Sequence, residues 1–311
     1  MALTLIAGTA HPALAAGIAA TVGVEPVRVT HERFPDGEQH IALGRSVRGD
    51  DVYIVQPMSS PVDERLMELL LLADAARRGG ARRVTAVAPY LGYARQDRRK
   101  APGEPISARV VGDMLQAVGV DRLLTVEPHS ATLEAMYPFP VLTLTAVPAL
   151  VGALRTSIPS DAVVVSPDLG AVRLAERYGA ALGLPVAVVR KQRISGSEVR
   201  VEAVAGDVAG RQALIVDDMI TTGGTIEATV SALLQAGAIP PFFVAATHAV
   251  FVGAAEERLG ASGIDRVWVT DTLEPRFGRL AANVVGVGPL LAEAVGRLHG
   301  ETALDDLEAR T

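Results

Sequence analysis

Short, uninterrupted apolar runs at residues 4–7, 52–55, 84–88 and 123–126 alternate with amphipathic segments, notably 63–78 and 107–118. A strand buried on both faces reads as a continuous apolar run, and two parallel neighbours must be joined by a crossover, usually a helix. The alternation therefore predicts a parallel sheet flanked by helices. A second series follows at 163–165, 186–189, 213–216, 242–245 and 266–269. The two series are similar in design, so the reading is α/β with two domains, 1–145 and 146–311, joined near residues 143–150. The last amphipathic segment, 290–298, follows the second series, with a return to the first domain as an alternative.

At 311 residues and 49% hydrophobic, the chain can bury two ordinary cores. A formal net charge of -6 argues against a general nucleic-acid binder, although local basic clusters can still meet anionic small molecules. With no cysteine there is no disulfide, thiol nucleophile or cysteine-bound zinc, which fits a reducing compartment such as the cytoplasm. The apolar first residues, 1–23, lack a basic leader and are interrupted by Gly8, His11 and Pro12, so they read as strand, loop and helix rather than a signal peptide. No run is long enough for a membrane span.

Residues 213–225, ALIVDDMITTGGT, combine an apolar run, two carboxylates and a glycine-bearing loop. The run 213–216 is read as a central strand, with Asp217 and Asp218 following at its carboxyl end, where open α/β sheets bind ligands. Thr221, Thr222, Gly223, Gly224 and Thr225 lead into the apolar periodicity of residues 226–236. Adjacent glycines let the backbone N–H groups turn inward, and the helix start adds partial positive charge, so this loop can hold a phosphate. The aspartates would repel a phosphate but accept hydrogen bonds from vicinal hydroxyls. Together they indicate a phosphorylated sugar; the alternative is a plain strand, turn and helix with solvated acids.

Four further clusters sit in connections. Phe34, Asp36 and Glu38 in FPDGE form either an ordinary turn or a place where an aromatic ring and carboxylates hold a purine. Arg95, Gln96 and Asp97 follow the strand at 84–88: the arginine suits phosphate oxygens, and the aspartate can orient it or bind metal-held water, unless the loop is merely solvated. His129 in EPHS and Asp168 in SPDLG follow strands in the same manner, a sparse pair suited to magnesium carried by a nucleotide, although the spacing is no metal motif. Lys191, Gln192 and Arg193 lie just beyond the strand at 186–189 and open a polar stretch to residue 200. That stretch is either a mobile loop closing over a reacting phosphate or a solvated hairpin.

Taken together these residues resemble the ribose-phosphate pyrophosphokinase (phosphoribosyl pyrophosphate synthetase) family. FPDGE, PVDERLMELLLLADAARRGGARRVTAVAPYLGYARQDRR, EPHS, SPDLGAVRLAERYG, GDVAGRQALIVDDMITTGGT and VGPLLAEAVGRLHG occur in the family's order and span nearly the whole chain. The resemblance implies two phosphoribosyltransferase-like domains, each a mainly parallel sheet flanked by helices, with the active site between them, and a homo-oligomer, a hexamer built from dimers. It implies transfer of the β,γ-diphosphoryl group of ATP to the C1 hydroxyl of ribose 5-phosphate, with Mg2+ and without nucleic acid or membrane. Phe34, Asp36 and Glu38 then hold adenine, Arg95, Gln96 and Asp97 form the ATP loop, and His129 and Asp168 meet the metal. Lys191, Arg193 and His129 are the catalytic group, and Asp217, Asp218 and residues 221–225 hold the sugar phosphate. The alternatives are a catalytically silent regulatory relative and a base-transferring phosphoribosyltransferase.

The chain departs from the family at several points. Glu127 and Pro128 replace an aspartate-leucine pair, Gln192 separates the lysine from the arginine, and Thr221 stands where aspartate is frequent. Val62, Asp63, Glu64 and Arg65 replace an asparagine-rich run.

Overall fold

The computed structural model describes residues 1–193, 199–278 and 280–309; the side chains of 191–193 and 199–202 lie outside that description. The chain divides into two compact units, the first formed by residues 1–145, 272–274 and 287–311 and the second by 146–271 and 275–286.

In the first unit the chain runs β1 (Leu3–Ala7), α1 (Pro12–Val22), β2 (Val29–Arg33), β3 (Gln39–Leu43), β4 (Asp51–Val55), α2 (Val62–Arg78), β5 (Arg83–Val87), α3 (Ser107–Ala117), β6 (Arg122–Val126), α4 (Leu133–Met136) and β7 (Val141–Leu144). Five of these strands form a parallel sheet in the order β1-β4-β5-β6-β7, so each new strand adds on the same side. Alternate strand residues, Val52 and Ile54, Val84 and Ala86, join the buried stripe Leu66, Leu69, Leu72, Ala73 and Ala76 of α2 in one core. Asp63 and Glu64 in the first turn of α2 and Arg77 and Arg78 in its last complement the helix dipole.

Two elements differ from the sequence reading. β2 and β3 form a separate antiparallel hairpin, and FPDGE is its tip rather than an irregular connection. Their sequences, VTHER and QHIAL, lack the apolar run or clean alternation that marks a strand. Near 143–150, Val141–Leu144 is β7 and Val147–Leu154 is the helix α5, and the division between the two units falls between Thr145 and Ala146.

The second unit continues with β8 (Val163–Ser166), α6 (Val172–Leu182), β9 (Val186–Arg193), β10 (Val199–Ala205), β11 (Ala213–Ile220), α7 (Gly224–Gln235), β12 (Phe242–Ala249), α8 (Ala255–Ala261), β13 (Ile264–Thr270) and β14 (Ala282–Val285). Its sheet order is β10-β9-β8-β11-β12-β13-β14, parallel except for the β9–β10 hairpin. Growth reverses at β8, which has β9 on one side and β11 on the other. Crossovers leave in opposite directions there, opening a crevice beyond the strands' carboxyl ends.

The final helix, α9 (Gly288–His299), belongs to the first unit. Asp51 at the start of β4 is fully buried, and its carboxylate accepts from Arg83 Nε at 2.7 Å and meets His299 Nδ1 at 2.9 Å. The tail then adds Thr145 N to Leu307 O at 2.9 Å and Ala309 N to Thr143 O at 2.8 Å, beside β7. No helix among the described residues is long and apolar enough to cross a membrane.

Candidate active site

The reversal between β8 and β11 collects carboxylates. Asp168 follows β8 directly. Its Oδ1 accepts from Gly170 N at 2.8 Å and Ala171 N at 3.2 Å, which orients the carboxyl. Asp217 and Asp218 lie within β11, not beyond it as the apolar pattern suggested. That strand runs on to Ile220 because β12 continues to pair with it, Asp217 opposite Ala246 and Ile220 opposite Ala249. On the other side pairing with β8 stops at Ile215 and Val165. The aspartates are thus anchored along one edge and open along the other.

Desolvation pushes the Asp217 carboxyl well above the usual range, and the negative charges of Asp218 and Asp168 push it further. Three like charges at the end of two adjacent strands call for a proton, a cation or hydroxyl donors. Residues 221–223 then form a tight turn, with Gly223 at φ 76, and α7 starts at Gly224. Thr222 and Thr225 are exposed and Gly223 is buried. The structure therefore brings together Asp168, Asp217, Asp218, Thr221, Thr222, Gly223, Gly224 and Thr225.

Lys191 and Arg193 form part of β9 rather than a loop beyond it: Lys191 pairs with Val201, and Arg193 with Val199, across the hairpin to β10. Their side chains, and all of residues 194–198, lie outside the described part.

In the first unit, Arg95 and Gln96 are exposed in the connection after β5, while Gln96 Oε1 accepts from Ser107 Oγ at the start of α3. Asp97 has a different partner from any the sequence suggested. It accepts from Ser130 Oγ at 2.7 Å and from Thr132 Oγ1 at 3.4 Å. The Ser130 bond holds its carboxyl below the ordinary carboxylate range, with Arg98 contributing. Through Ser130 the exposed His129 is tied to the Arg95–Asp97 stretch. Ser130 was legible only as part of EPHS, since a hydroxyl beside a histidine carries no signal of a partner 33 residues away.

The FPDGE tip is closed by Gly37 N to Phe34 O at 2.8 Å and Phe34 N to Glu38 O at 2.9 Å. Asp36 Oδ1 accepts from Glu38 N at 3.1 Å, so one of its oxygens stabilises the turn itself. Phe34 is 51% exposed. The residues replacing the family's asparagine-rich run supply the anchors: Glu64 pairs with Arg33 of the hairpin, Asp63 accepts from Tyr93, and Arg65 pairs with the buried Glu68 at 3.3 Å. The hairpin and the loop after β5 are therefore moored to consecutive residues of α2.

Glu127 (φ 38) and Phe251 (φ 35), each just past the carboxyl end of a parallel strand, and Tyr93 (φ 63), in the longer connection after β5, take up the left-handed region without being glycine. Such backbone persists only where surroundings impose it, and it concentrates at binding sites.

The family model for the N-terminal domain of ribose phosphate pyrophosphokinase matches residues 3–119, and one for the phosphoribosyl synthetase-associated domain matches 196–308. A ribose-phosphate pyrophosphokinase from Gloeobacter violaceus is 41% identical over 310 residues, 98% of this chain and 92% of the relative. The chain belongs to the ribose-phosphate pyrophosphokinase family. Another such relative, from Aquifex aeolicus, is 39% identical over 97% of this chain and 98% of its own length. The crystal structure of phosphoribosylpyrophosphate synthetase from Mycobacterium smegmatis superposes with a TM-score of 0.88 at 37% identity, covering 97% of this chain and all of that one. The α/β fold with two mainly parallel sheets is thus the family's own.

Proposed function

We propose that the chain is an active ribose-phosphate diphosphokinase, transferring the β,γ-diphosphoryl group of ATP to the C1 hydroxyl of ribose 5-phosphate. What carries this reading is that family likeness runs through both units, with matches at 3–119 and 196–308 and relatives aligned over almost the full length. A base-transferring phosphoribosyltransferase would use the switch-point carboxylates and leave the hairpin and the Arg95–Asp97 stretch without a task.

In this reading Asp217 and Asp218 accept hydrogen bonds from the ribose hydroxyls, and the amides of residues 221–225 hold the 5-phosphate. Phe34, Asp36 and Glu38 take the adenine, Arg95 grips ATP phosphate oxygens, and Gln96 and Asp97 shape the loop that carries it. The C1 oxygen attacks the β-phosphorus, the bond from that phosphorus to the AMP oxygen breaks, and AMP leaves. Lys191 and Arg193 neutralise charge on the transferring group.

Magnesium suits the residues present. Among the described residues no group of three or more histidine and carboxylate side chains could hold a metal by itself. Asp168 stands beside an excess of negative charge. A hard cation held chiefly by phosphate oxygens, with His129 and Asp168 as protein partners, fits that supply. When bound, it neutralises phosphate charge. Assembly as a hexamer built from dimers and a cytoplasmic location complete the proposal.

The test is purified protein with ATP, magnesium and ribose 5-phosphate, followed by detection of AMP and phosphoribosyl pyrophosphate. No AMP at any inorganic phosphate concentration would favour a silent regulatory relative. Turnover of a free base with phosphoribosyl pyrophosphate would favour the transferase.

A further inference from the structure

The phosphate loop has a back side, and it is held by residues that none of the motifs include. Ile220 O accepts from Val250 N and Phe251 N, both at 3.0 Å, and Thr221 O accepts from Val252 N at 3.0 Å. Thr222 O accepts from the Arg258 guanidinium at 2.9 Å. In a planar trans peptide the C=O and the following N–H point in opposite directions. Turning these carbonyls toward the 250–258 segment therefore turns the N–H groups of Thr221, Thr222 and Gly223 to the other side. Gly223 O accepts from Glu227 N at 3.0 Å as the first bond of α7, so the Gly224 N–H continues the row. Successive amides on one side make an anion-binding concavity.

The four carbonyls are not held alike. Those of Ile220, Thr221 and Gly223 are fixed by backbone N–H groups, and only that of Thr222 by a side chain. The Thr222–Gly223 peptide is also the one most able to rotate, because Gly223, at φ 76, has no side chain to resist a change of backbone angle. Rotation would withdraw the Gly223 N–H and point a carbonyl oxygen at the phosphate. The Arg258 guanidinium opposes that rotation, and Glu227 lies 4.0 Å from its Nε.

We propose that Arg258 is a positioning residue for the sugar's 5-phosphate: it locks the Thr222–Gly223 peptide with its N–H facing the ligand. This rests on reading residues 221–225 as the phosphate cradle. The test compares wild type with Arg258→Met, which keeps the apolar stem and removes the donor, and with Arg258→Lys, which restores one. KM and kcat are measured for ribose 5-phosphate and for ATP, and turnover of unphosphorylated ribose is assayed at high concentration. In Arg258→Met the KM for ribose 5-phosphate should rise about tenfold, as expected for losing one charge-supported orientation. Its KM for ATP, its kcat and its kcat/KM for ribose should stay within about twofold, and Arg258→Lys should recover most of the loss. An unchanged KM for ribose 5-phosphate overturns the proposal, as does an equal loss with ribose or ATP, which would indicate only a structural role. Should Arg258→Met fail to fold, Arg258→Gln supplies the comparison, since its amide falls short of the Thr222 carbonyl. If wild type itself handles ribose 5-phosphate no better than ribose, it is the cradle reading that fails.

Discussion

Ser130 donates a 2.7 Å hydrogen bond to the carboxylate of Asp97, joining the connection after β6 to the one after β5. One of those connections carries His129, assigned to the metal that accompanies ATP, and the other carries Arg95, assigned to the ATP phosphates. Ser130→Ala should therefore raise the KM for ATP about five- to tenfold and cost about 1 kcal/mol of stability. The depressed Asp97 group contributes stability above the unfolded carboxylate pKa, lost as pH falls through its lower folded value. In Ser130→Ala the folded value moves back toward the unfolded one, so that loss should be smaller and complete at higher pH, which denaturant titrations across the acid range would reveal.

Asp217 has the opposite sign. Its folded pKa is raised, so between the unfolded and folded values the native state binds more protons and stability falls as pH rises. Asp217→Asn removes that penalty. The variant should be more heat-stable than wild type at neutral pH, by a margin that shrinks toward acid, while its KM for ribose 5-phosphate rises about tenfold or more. Thermal scans at several pH values together with kinetics check both halves.

Gly223 combines φ 76 with a tight fit: an added Cβ would lie 3.2 Å from Ala255 O. Gly223→Ala should cost about 1–3 kcal/mol in unfolding free energy and weaken ribose 5-phosphate more than ATP. Calorimetry with each substrate would show whether the loss is confined to the sugar.

For Lys191 the expectation comes from its assigned role in neutralising the transferring group. Lys191→Ala should lower turnover by at least about a hundredfold with modest loss of ATP affinity. Near-normal turnover would remove Lys191 from the mechanism.

The buried Asp51 gathers Arg83, His299 and the Tyr53 hydroxyl at 3.0 Å. Burial alone would raise its pKa, but bonds from Arg83, His299 and Tyr53 bring it below the ordinary value. Asp51→Ala strands the Arg83 charge and releases α9, so a loss of about 3–5 kcal/mol is expected. Wild type should lose the part of this stability that comes from the carboxylate's charge as pH falls through the depressed pKa. Urea melts of both proteins at neutral and acid pH would measure it.

Much of this protein was legible from residues close together in the chain. Apolar runs marked the buried parallel strands, since both faces of such strands are apolar. Helices α2 and α3 followed from their periodicity, and the order of the motifs indicated the family. Strands that bury little escaped notice, β2 and β3 above all, because a hairpin lying outside the main sheet needs no apolar run. The extension of β11 through Asp217 and Asp218 depended on pairing with β12, which no local pattern encodes. Only tertiary structure decided that growth reverses at β8, that Ser130 reaches Asp97, that α9 returns to the first unit, and that Arg258 holds the Thr222 carbonyl. Each of these joins residues far apart in sequence. Composition and periodicity record which face of an element is buried, whereas the partner of a polar group is set by where the fold places it.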